Sequence, residues 1–393
     1  MKQFLSAAAR RNPYPLYDQA RAVSPLRQDP ASKLWMLFDY DGVKRVLSDE
    51  SAFSSRHGPV EWMIFLDPPR HTKLRALVSQ AFTPRSVANL ETRIRQFAGE
   101  LLDEVIERGA MDMAADFSVP LPMLVIGEML GLPPEDGDRF KRWNDVILNM
   151  SYTVGRPDPA LAAAATREFA AITVEMNEYL GVLLEQRRTE PQNDLLTRLL
   201  QAEVEGQRLV QSEILGFFQL LLLAGSETTT NLINNAMLCL MENPDQFDRC
   251  QSAPELLPSM IEEVLRYRPP FQWMFRLTRR AVELHGQTVP EGNLILAMIG
   301  SANRDPKQFE DPNRFDIGRN PNPHLAFGHG IHFCLGAALA RLESRIALTE
   351  IIERVKRVEL ASPEPWEPRM GLHVHGPTRL PIKFIPGQRR ENS

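Results

Sequence analysis

The sequence contains little cysteine and no arrangement of cysteines that would build a structural framework. Its 393 residues include only Cys239, Cys250 and Cys334, and no two of them form a CxxC pair. A cysteine-rich zinc site is therefore disfavoured. An odd number of cysteines also argues against a disulfide scaffold and is typical of a reducing compartment, so we expect a cytoplasmic protein.

An excess of basic residues and a long hydrophobic segment are also lacking. The net charge is −5, which gives no indication of nucleic-acid binding. The most hydrophobic run, residues 214–224, has 11 residues and contains Gln219, whereas a bilayer span needs roughly 20. The N-terminal apolar residues are too few and too interrupted for a signal peptide. We expect neither a nucleic-acid partner nor a membrane anchor.

Helical periodicity dominates what is present. Apolar residues at helical spacing predict helices over residues 90–105, 169–184, 214–241, 256–266 and 335–355. Shorter segments predict strands over 34–38, 293–299 and, interrupted by glycine and proline, 372–385. Polar stretches at 151–159 and 188–193 predict loops, and neither resembles a linker. We expect residues 1–393 to form a single, mainly α domain with small β-sheets.

Cys334 lies directly before a predicted helix, in the glycine-rich segment FGHGIHFCLG at 327–336. The unpaired N–H groups and the positive dipole end of a helix start favour a thiolate, which suits a metal ligand. Three interpretations are open. They are a buried structural cysteine, a zinc site of His329, His332 and Cys334 without a visible fourth ligand, and an iron porphyrin with one axial thiolate. The third explains why one cysteine suffices and why the loop is rich in glycine.

This segment resembles the haem-binding signature of the cytochrome P450 family, Phe-x-x-Gly-x-x-x-Cys-x-Gly. Phe327, Gly330, Cys334 and Gly336 fill that signature. Three further motifs follow the family's order, so the resemblance covers essentially the whole chain and is closest for the bacterial soluble members. It implies a haem-thiolate monooxygenase with the cytochrome P450 fold. Haem b (iron protoporphyrin IX) would lie between a long central helix and the helix after the cysteine loop, with Cys334 as its axial ligand.

The second motif is the segment EEVLR at 262–266. Glu263 and Arg266 are three positions apart and would share one face of a helix. The residues alone also allow a solvated surface pair of little energetic weight. The resemblance implies the family's buried Glu-x-x-Arg pair, with Arg319 as the third member and Arg314 as the less favoured alternative.

The third motif is the segment LLLAGSETTT at 221–230, where polar residues interrupt a strongly apolar helix. Two separate helices, the second capped by Ser226, are one interpretation. The resemblance implies instead that Glu227 and Thr228 form the acid–alcohol pair beside bound dioxygen, at a local opening of the helix. Glu227 would relay protons, and Thr229 would replace Thr228 if the register differs by one.

The fourth motif is a set of residues that match the family's contacts to the two haem propionates. Its members are His71, Arg75, Arg276 and His332. Taken singly, each of these residues would be interpreted as an ordinary surface charge. Together they would give two carboxylates several donors, and arginine forks suit carboxylates well.

The family topology also implies a substrate pocket with an apolar and aromatic lining: Val60, Trp62, Met63, Leu221, Phe271, Trp273, Met274 and Val374. Such a lining favours a hydrophobic small molecule such as a fatty acid, terpenoid, steroid or macrolide-like compound. No flavin or iron–sulfur motif is visible. Electrons from NAD(P)H are therefore expected through a separate ferredoxin or flavodoxin and its reductase, docking on a monomer near Lys73, Arg75, Arg341 and Arg345.

Three other functions stay open on the sequence. They are a peroxide-driven hydroxylase on the same fold, a haem-based gas sensor on that fold, and a helical interaction protein without a cofactor. The Glu227–Thr228 pair disfavours the sensor because gas binding needs no proton relay. It disfavours the peroxide-driven enzyme because, by the resemblance, such members depart from this pair.

Overall fold

Helices make up most of the computed structural model, which describes residues 4, 6–56, 62–153, 158–371 and 373–387. The α-helices in this part of the chain are α1 (Ala7–Arg11), α2 (Tyr14–Val23), α3 (Tyr40–Ser48), α4 (Arg70–Ala81), α5 (Pro84–Ala88), α6 (Glu91–Asp103), α7 (Pro120–Leu130), α8 (Gly137–Thr153), α9 (Pro159–Thr189), α10 (Leu195–Gln201), α11 (Gln211–Glu242), α12 (Pro244–Ser252), α13 (Leu257–Tyr267), α14 (Ile299–Ala302) and α15 (Ala337–Arg354). A π-helical turn, Met113–Ser118, precedes α7.

The β-strands are short: β1 (Leu26–Gln28), β2 (Trp35–Leu37), β3 (Phe53–Ser54), β4 (Ala110–Asp112), β5 (Glu203–Val204), β6 (Gln207–Arg208), β7 (Met274–Thr278), β8 (Val282–Leu284), β9 (Gln287–Val289), β10 (Leu294–Ala297), β11 (Val355–Leu360) and β12 (Pro381–Pro386). One five-stranded sheet has the order β1-β2-β10-β7-β3, and a three-stranded sheet has the order β11-β12-β4. Within the larger sheet β10 runs parallel to β2 and antiparallel to β7.

The 32-residue helix α11 forms the centre of the molecule. Its buried residues extend from Ile214 to Leu240 and lie on almost every face. A helix that is apolar all round must be enclosed by other elements, and α11 packs against α7, α8, α13 and α15 among others. The largest hydrophobic core cluster is built around it.

Most predicted elements are present, with changed boundaries. The helix predicted over 90–105 is α6, and those predicted over 214–241 and 335–355 are α11 and α15. The predicted loops are shorter than expected, because α9 continues to Thr189 and α8 to Thr153. Residues 154–157 of the first loop lie outside the described part of the chain.

One further segment, which the sequence analysis did not consider, is long and apolar enough to cross a bilayer. It is the 18-residue stretch Met113–Leu130, and 56% of it is buried inside the protein. Helices in the core of a globular protein pass the same test, and this stretch packs on α6 and α11.

Candidate active site

The loop that carries Cys334 is held by backbone hydrogen bonds and by its packing on α3. The Cys334 N–H donates to the Phe327 carbonyl at 2.9 Å, which closes the loop. Gly330 has φ +72°, and a Cβ there would lie 2.8 Å from the Cα of Ser48 at the end of α3. Only glycine fits that position without displacing backbone. The loop therefore presents Cys334 in a defined place ahead of α15.

Cys334 differs from the other two cysteines in its accessibility. It is exposed, whereas Cys239 and Cys250 are buried. Enough protein nevertheless surrounds its sulfur that burial raises the pKa of the Cys334 thiol, although the Gly336 N–H and the charges of Arg75 and Arg341 act in the opposite direction. The helix α15 begins at Ala337, three residues after Cys334.

The four candidate propionate contacts lie together beside this loop. His71 and Arg75 are on α4, and the Arg75 Nη2 donates to the Phe333 carbonyl at 2.6 Å. The rings of His71 and His332 have centroids 4.1 Å apart. Arg276 lies on β7 and is buried, and burial lowers its pKa to about 10, an effect that nearby Asp67 opposes. The structure thus gathers donors from α4, β7 and the cysteine loop.

Buried donors in this cluster are left without partners. Both ring nitrogens of His71 and the Nε2 of His332 have no hydrogen-bond partner within the described residues. Buried polar atoms are normally paired, so such orphans indicate a missing polar group. The zinc interpretation finds no support, because the described residues contain no group of three or more metal-ligating side chains that could hold an ion.

Helix α11 presents Thr228 on its open face. Ala224, one turn earlier, is exposed and Thr228 is partly exposed, whereas Thr229 is buried. The Thr228 hydroxyl donates to the Ala224 carbonyl at 2.5 Å. Thr228 rather than Thr229 is therefore the threonine on the accessible face of α11.

The predicted opening of α11 is not present, and neither are two helices. The helix is continuous through Gly225, and the Ser226 hydroxyl donates to the Leu222 carbonyl inside it instead of capping a second helix. Close packing accounts for Gly225, since a Cβ there would lie 3.0 Å from the Cδ1 of Ile126 on α7.

Glu227 is buried, and its carboxylate is held by residues that the sequence did not indicate. The hydroxyl of Tyr152, at the end of α8, donates to the Glu227 Oε1. Burial raises the pKa of Glu227 to about 7, and the charge of Arg369 lowers it in part. No local pattern could have identified Tyr152 or Arg369, because each meets Glu227 only through folding.

Aromatic rings adjoin this acid and include some of the predicted pocket residues. The ring of His373 lies 5.3 Å from Phe271, 5.7 Å from Trp273 and 6.3 Å from Tyr152. Burial lowers the pKa of His373 to about 4, so this ring is neutral at ordinary pH. Val374 pairs with Phe271 through an isolated β-bridge.

The other pocket candidates are divided by their exposure. Met274 is partly exposed, whereas Trp62, Met63 and Leu221 are buried in the large core cluster. The Trp62 indole donates to the Oε1 of Gln219 at 3.1 Å, which explains the polar residue inside the apolar run of α11. Val60 lies outside the described residues.

The buried ion network has the arrangement predicted for it. Arg266 donates twice to Glu263 at 2.8 Å, and both side chains are fully buried. Arg319 lies 3.2 Å from Glu263, and the Asp316 N–H and Asn322 amide also donate to that carboxylate. Arg314 is not the third member, because only its backbone carbonyl takes part.

Comparison with known proteins identifies this constellation. The family model for Cytochrome P450 matches residues 31–381. The chain belongs to the cytochrome P450 family. It is 41% identical to Cytochrome P450 109 of Bacillus spizizenii, over 98% of this chain and 95% of that protein. It is 39% identical to the Erythromycin C-12 hydroxylase of Saccharopolyspora erythraea, over 92% of each chain.

Solved structures give the same result for the fold. The crystal structure of CYP109E1 from Bacillus megaterium in complex with testosterone aligns with a TM-score of 0.88 and 41% identity, and the alignment covers 95% of this chain and 99% of that one. The predicted cytochrome P450 fold is therefore confirmed, and the protein is a cytochrome P450 monooxygenase.

The residues of this cytochrome P450 fit the haem that its family uses. Cys334 is accessible as an iron ligand, and the unpaired nitrogens of His71 and His332 are available as donors for carboxylates. A carboxylate of the cofactor would also stabilise the buried guanidinium of Arg276 in addition to nearby Asp67, since a buried charge is costly unless it is paired.

The titration of Glu227 gives a first prediction. Because its pKa is raised to about 7, the folded protein binds more protons than the unfolded chain between roughly pH 4.3 and 7. This group therefore favours folding at low pH, and its contribution is lost as the pH rises through 7. We expect the free energy of unfolding of the wild type, relative to that of Glu227→Gln, to fall by up to about 3 kcal/mol between pH 5 and 8. Denaturant unfolding of both proteins at each pH measures this, and parallel stability curves would contradict it.

Proposed function

We propose that this cytochrome P450 hydroxylates a hydrophobic small molecule, a fatty acid, terpenoid, steroid or macrolide-like compound, with dioxygen and electrons from NAD(P)H. The observation that carries the proposal is the aromatic cluster around His373, which Tyr152 connects to the buried acid Glu227. The names of a macrolide hydroxylase and a testosterone complex among the similar proteins support the compound classes. Spin-state shifts of the haem on addition of testosterone or a long-chain fatty acid would narrow them.

Different groups of side chains would bind the haem and the substrate. Haem, once bound, would supply the activation of dioxygen. Cys334 would be its axial ligand in the loop that Phe327, Gly330 and Gly336 shape, while His71, Arg75, Arg276 and His332 would bind its two carboxylates. Phe271, Trp273 and Met274 would hold the substrate and exclude water.

Two residues of α11 would manage protons. Glu227 would hold and release a proton near neutral pH, because its pKa of about 7 matches that of an efficient general acid. Tyr152 would orient the carboxyl group through its hydrogen bond. Thr228 would present its hydroxyl on the open face of the helix and pass the proton on.

Replacement of Thr228 tests this function. Thr228→Ala should retain haem, bind substrate and consume NAD(P)H with surrogate redox partners, because the hydroxyl bonds only to the Ala224 carbonyl of its own helix. We expect the ratio of product to NAD(P)H consumed to fall about tenfold or more, which is the usual scale for loss of a proton-transfer group. Hydrogen peroxide, measured in parallel, should account for the missing electrons.

The buried neighbour provides a matched control. Thr229→Ala removes the same hydroxyl from a position that faces the protein interior, and it should leave the ratio near that of the wild type. An effect in Thr229→Ala alone would shift the register by one residue. If neither variant changes the ratio, the proton relay is refuted. Product formation driven by added peroxide would then favour the peroxide-driven enzyme, and the absence of any product would favour the gas sensor.

The electron donor in this proposal is a separate ferredoxin or flavodoxin with its reductase. Lys73 is exposed on α4 and Arg75 lies beside the cysteine loop, so this face could meet an acidic partner. Arg341 and Arg345 already pair with Glu262 and Glu91, which reduces the charge they offer. We also propose that residues 1–393 form one haem domain that acts as a cytoplasmic monomer.

A further inference from the structure

Glu262 of α13 connects this helix and α15 to the loop before Cys334. It lies next to Glu263 in the chain but does not belong to the buried network. Glu262 accepts hydrogen bonds from the Nε and Nη2 of Arg341, both at 2.7 Å. The Nε2 of His324 lies 3.1 Å from the Oε2 of the same carboxylate. Arg341 belongs to α15, and His324 lies three residues before Phe327.

The hydrogen bonds of His324 fix its orientation and keep Glu262 ionised. The His324 Nδ1 accepts from the Ala326 N–H at 3.2 Å, so Nε2 is the nitrogen that donates to Glu262. Burial alone would raise the pKa of Glu262, but the hydrogen bonds from Arg341 and His324 lower it to about 2. The Arg341 guanidinium is therefore paired with a permanent negative charge.

Arg341 in turn lies against the cysteine loop. Its guanidinium carbon is 4.5 Å from the centre of the Phe327 ring, a cation–π distance. The Phe327 carbonyl accepts the hydrogen bond from the Cys334 N–H. Phe327 therefore contacts Arg341 through its ring and Cys334 through its backbone carbonyl, which places the guanidinium next to the cysteine loop. Arg341 is thus a cation beside the cysteine loop, and the Glu262 carboxylate offsets its charge.

We propose that Glu262 is a positioning residue that holds Arg341 over Phe327 and offsets its charge at Cys334, and that this pair sets the one-electron reduction equilibrium of the haem iron. Charge close to an axial ligand is one of the means by which a protein adjusts haem potential. Reduction adds one electron to the iron without making or breaking a bond in these side chains. A more positive surrounding therefore favours the ferrous form. The inference rests on the proposed function only in requiring haem on Cys334.

Opposite charge removals should shift the equilibrium in opposite directions. Glu262→Gln leaves the cation of Arg341 without its counter-charge, so we expect the ferrous form to gain about threefold to tenfold, and tenfold is about 59 mV for one electron. Arg341→Gln leaves the Glu262 carboxylate without the guanidinium, with only the hydrogen bond from His324, and should favour the ferric form. The double variant should lie between the two single variants. Spectroelectrochemical titration of the purified holoprotein with redox dyes measures this without a partner protein, so docking does not contribute.

A second ion pair on α15 serves as the matched control. Arg345 lies 3.1 Å from Glu91, and Glu91→Gln should leave the equilibrium unchanged, whereas Glu262→Asp should restore most of the wild-type value. Equal values for wild type, Glu262→Gln and Arg341→Gln, or shifts of the same sign, would overturn the proposal. If Glu262→Gln does not load haem, Arg341→Gln and the double variant still decide the sign. Loss or absence of hydroxylated product bears on the proposed function alone, since the titration needs no substrate.

Discussion

Replacement of Cys334 by alanine is expected to abolish thiolate ligation and, with it, nearly all monooxygenase activity. Cys334 is the exposed cysteine, and its backbone N–H, which closes the loop on Phe327, is unaffected by the change of side chain. The loop should therefore keep its shape and lose only the sulfur. The reduced carbon monoxide complex, which shows a red-shifted Soret band when a thiolate is the ligand, measures the loss directly.

The other two cysteines supply the controls for this experiment. Cys239→Ala and Cys250→Ala remove buried thiols whose pKa burial raises to about 12 and about 11, and both variants should keep the red-shifted band. Cys334→His should bind haem through nitrogen and lose the band. A red-shifted band in Cys334→Ala would refute the assignment of the ligand.

Truncation of the buried network is expected to have the largest effect on folding. Glu263→Ala removes the acceptor for Arg266, Arg319 and two further donors, and it leaves the fully buried Arg266 without a counter-charge. Breaking a buried pair in this way costs about 3–5 kcal/mol, a large fraction of the ~5–15 kcal/mol that stabilises a typical protein. We expect little folded, haem-loaded protein from Glu263→Ala and from Arg266→Ala, measured as haem bound per chain and by denaturant unfolding.

An exposed ion pair provides the comparison for that loss. Glu175 lies 2.6 Å from Arg142, and both side chains are well exposed to solvent. Glu175→Ala should cost less than about 1 kcal/mol, since water already stabilises both charges. If Glu175→Ala and Glu263→Ala lower the free energy of unfolding by similar amounts, burial is not the reason why the Glu263 network stabilises the protein.

Local sequence patterns predicted a large part of the candidate site. Glu263 and Arg266 are one helical turn apart, so periodicity alone puts them on one face of α13. The cysteine loop is likewise contained in ten consecutive residues, and its Gly330 is required by the close approach of the backbone at Ser48. The helices α6, α11 and α15 follow their apolar spacing because it is a property of each segment by itself.

Contacts between distant segments could not be obtained in this way. Sequence spacing did not indicate that Tyr152 of α8 bonds to Glu227 of α11, nor that residues of α15 and the loop at 324 converge on Glu262. The family resemblance also implied a local opening of the helix at Glu227 and Thr228, where the structure has a continuous helix whose Gly225 packs on Ile126. In each case the deciding quantity is the distance between elements.

The sequence by itself determined the helical elements and the positions of a candidate cysteine ligand in a glycine-rich loop, of an acid–alcohol segment and of a Glu-x-x-Arg segment, because each depends on neighbouring residues. The tertiary structure alone decided which buried charges are paired, which polar atoms of His71 and His332 remain for a cofactor, and which threonine faces open space. Burial and pairing depend on how helices and sheets pack together, and side chains far apart in the chain meet only when that packing is complete.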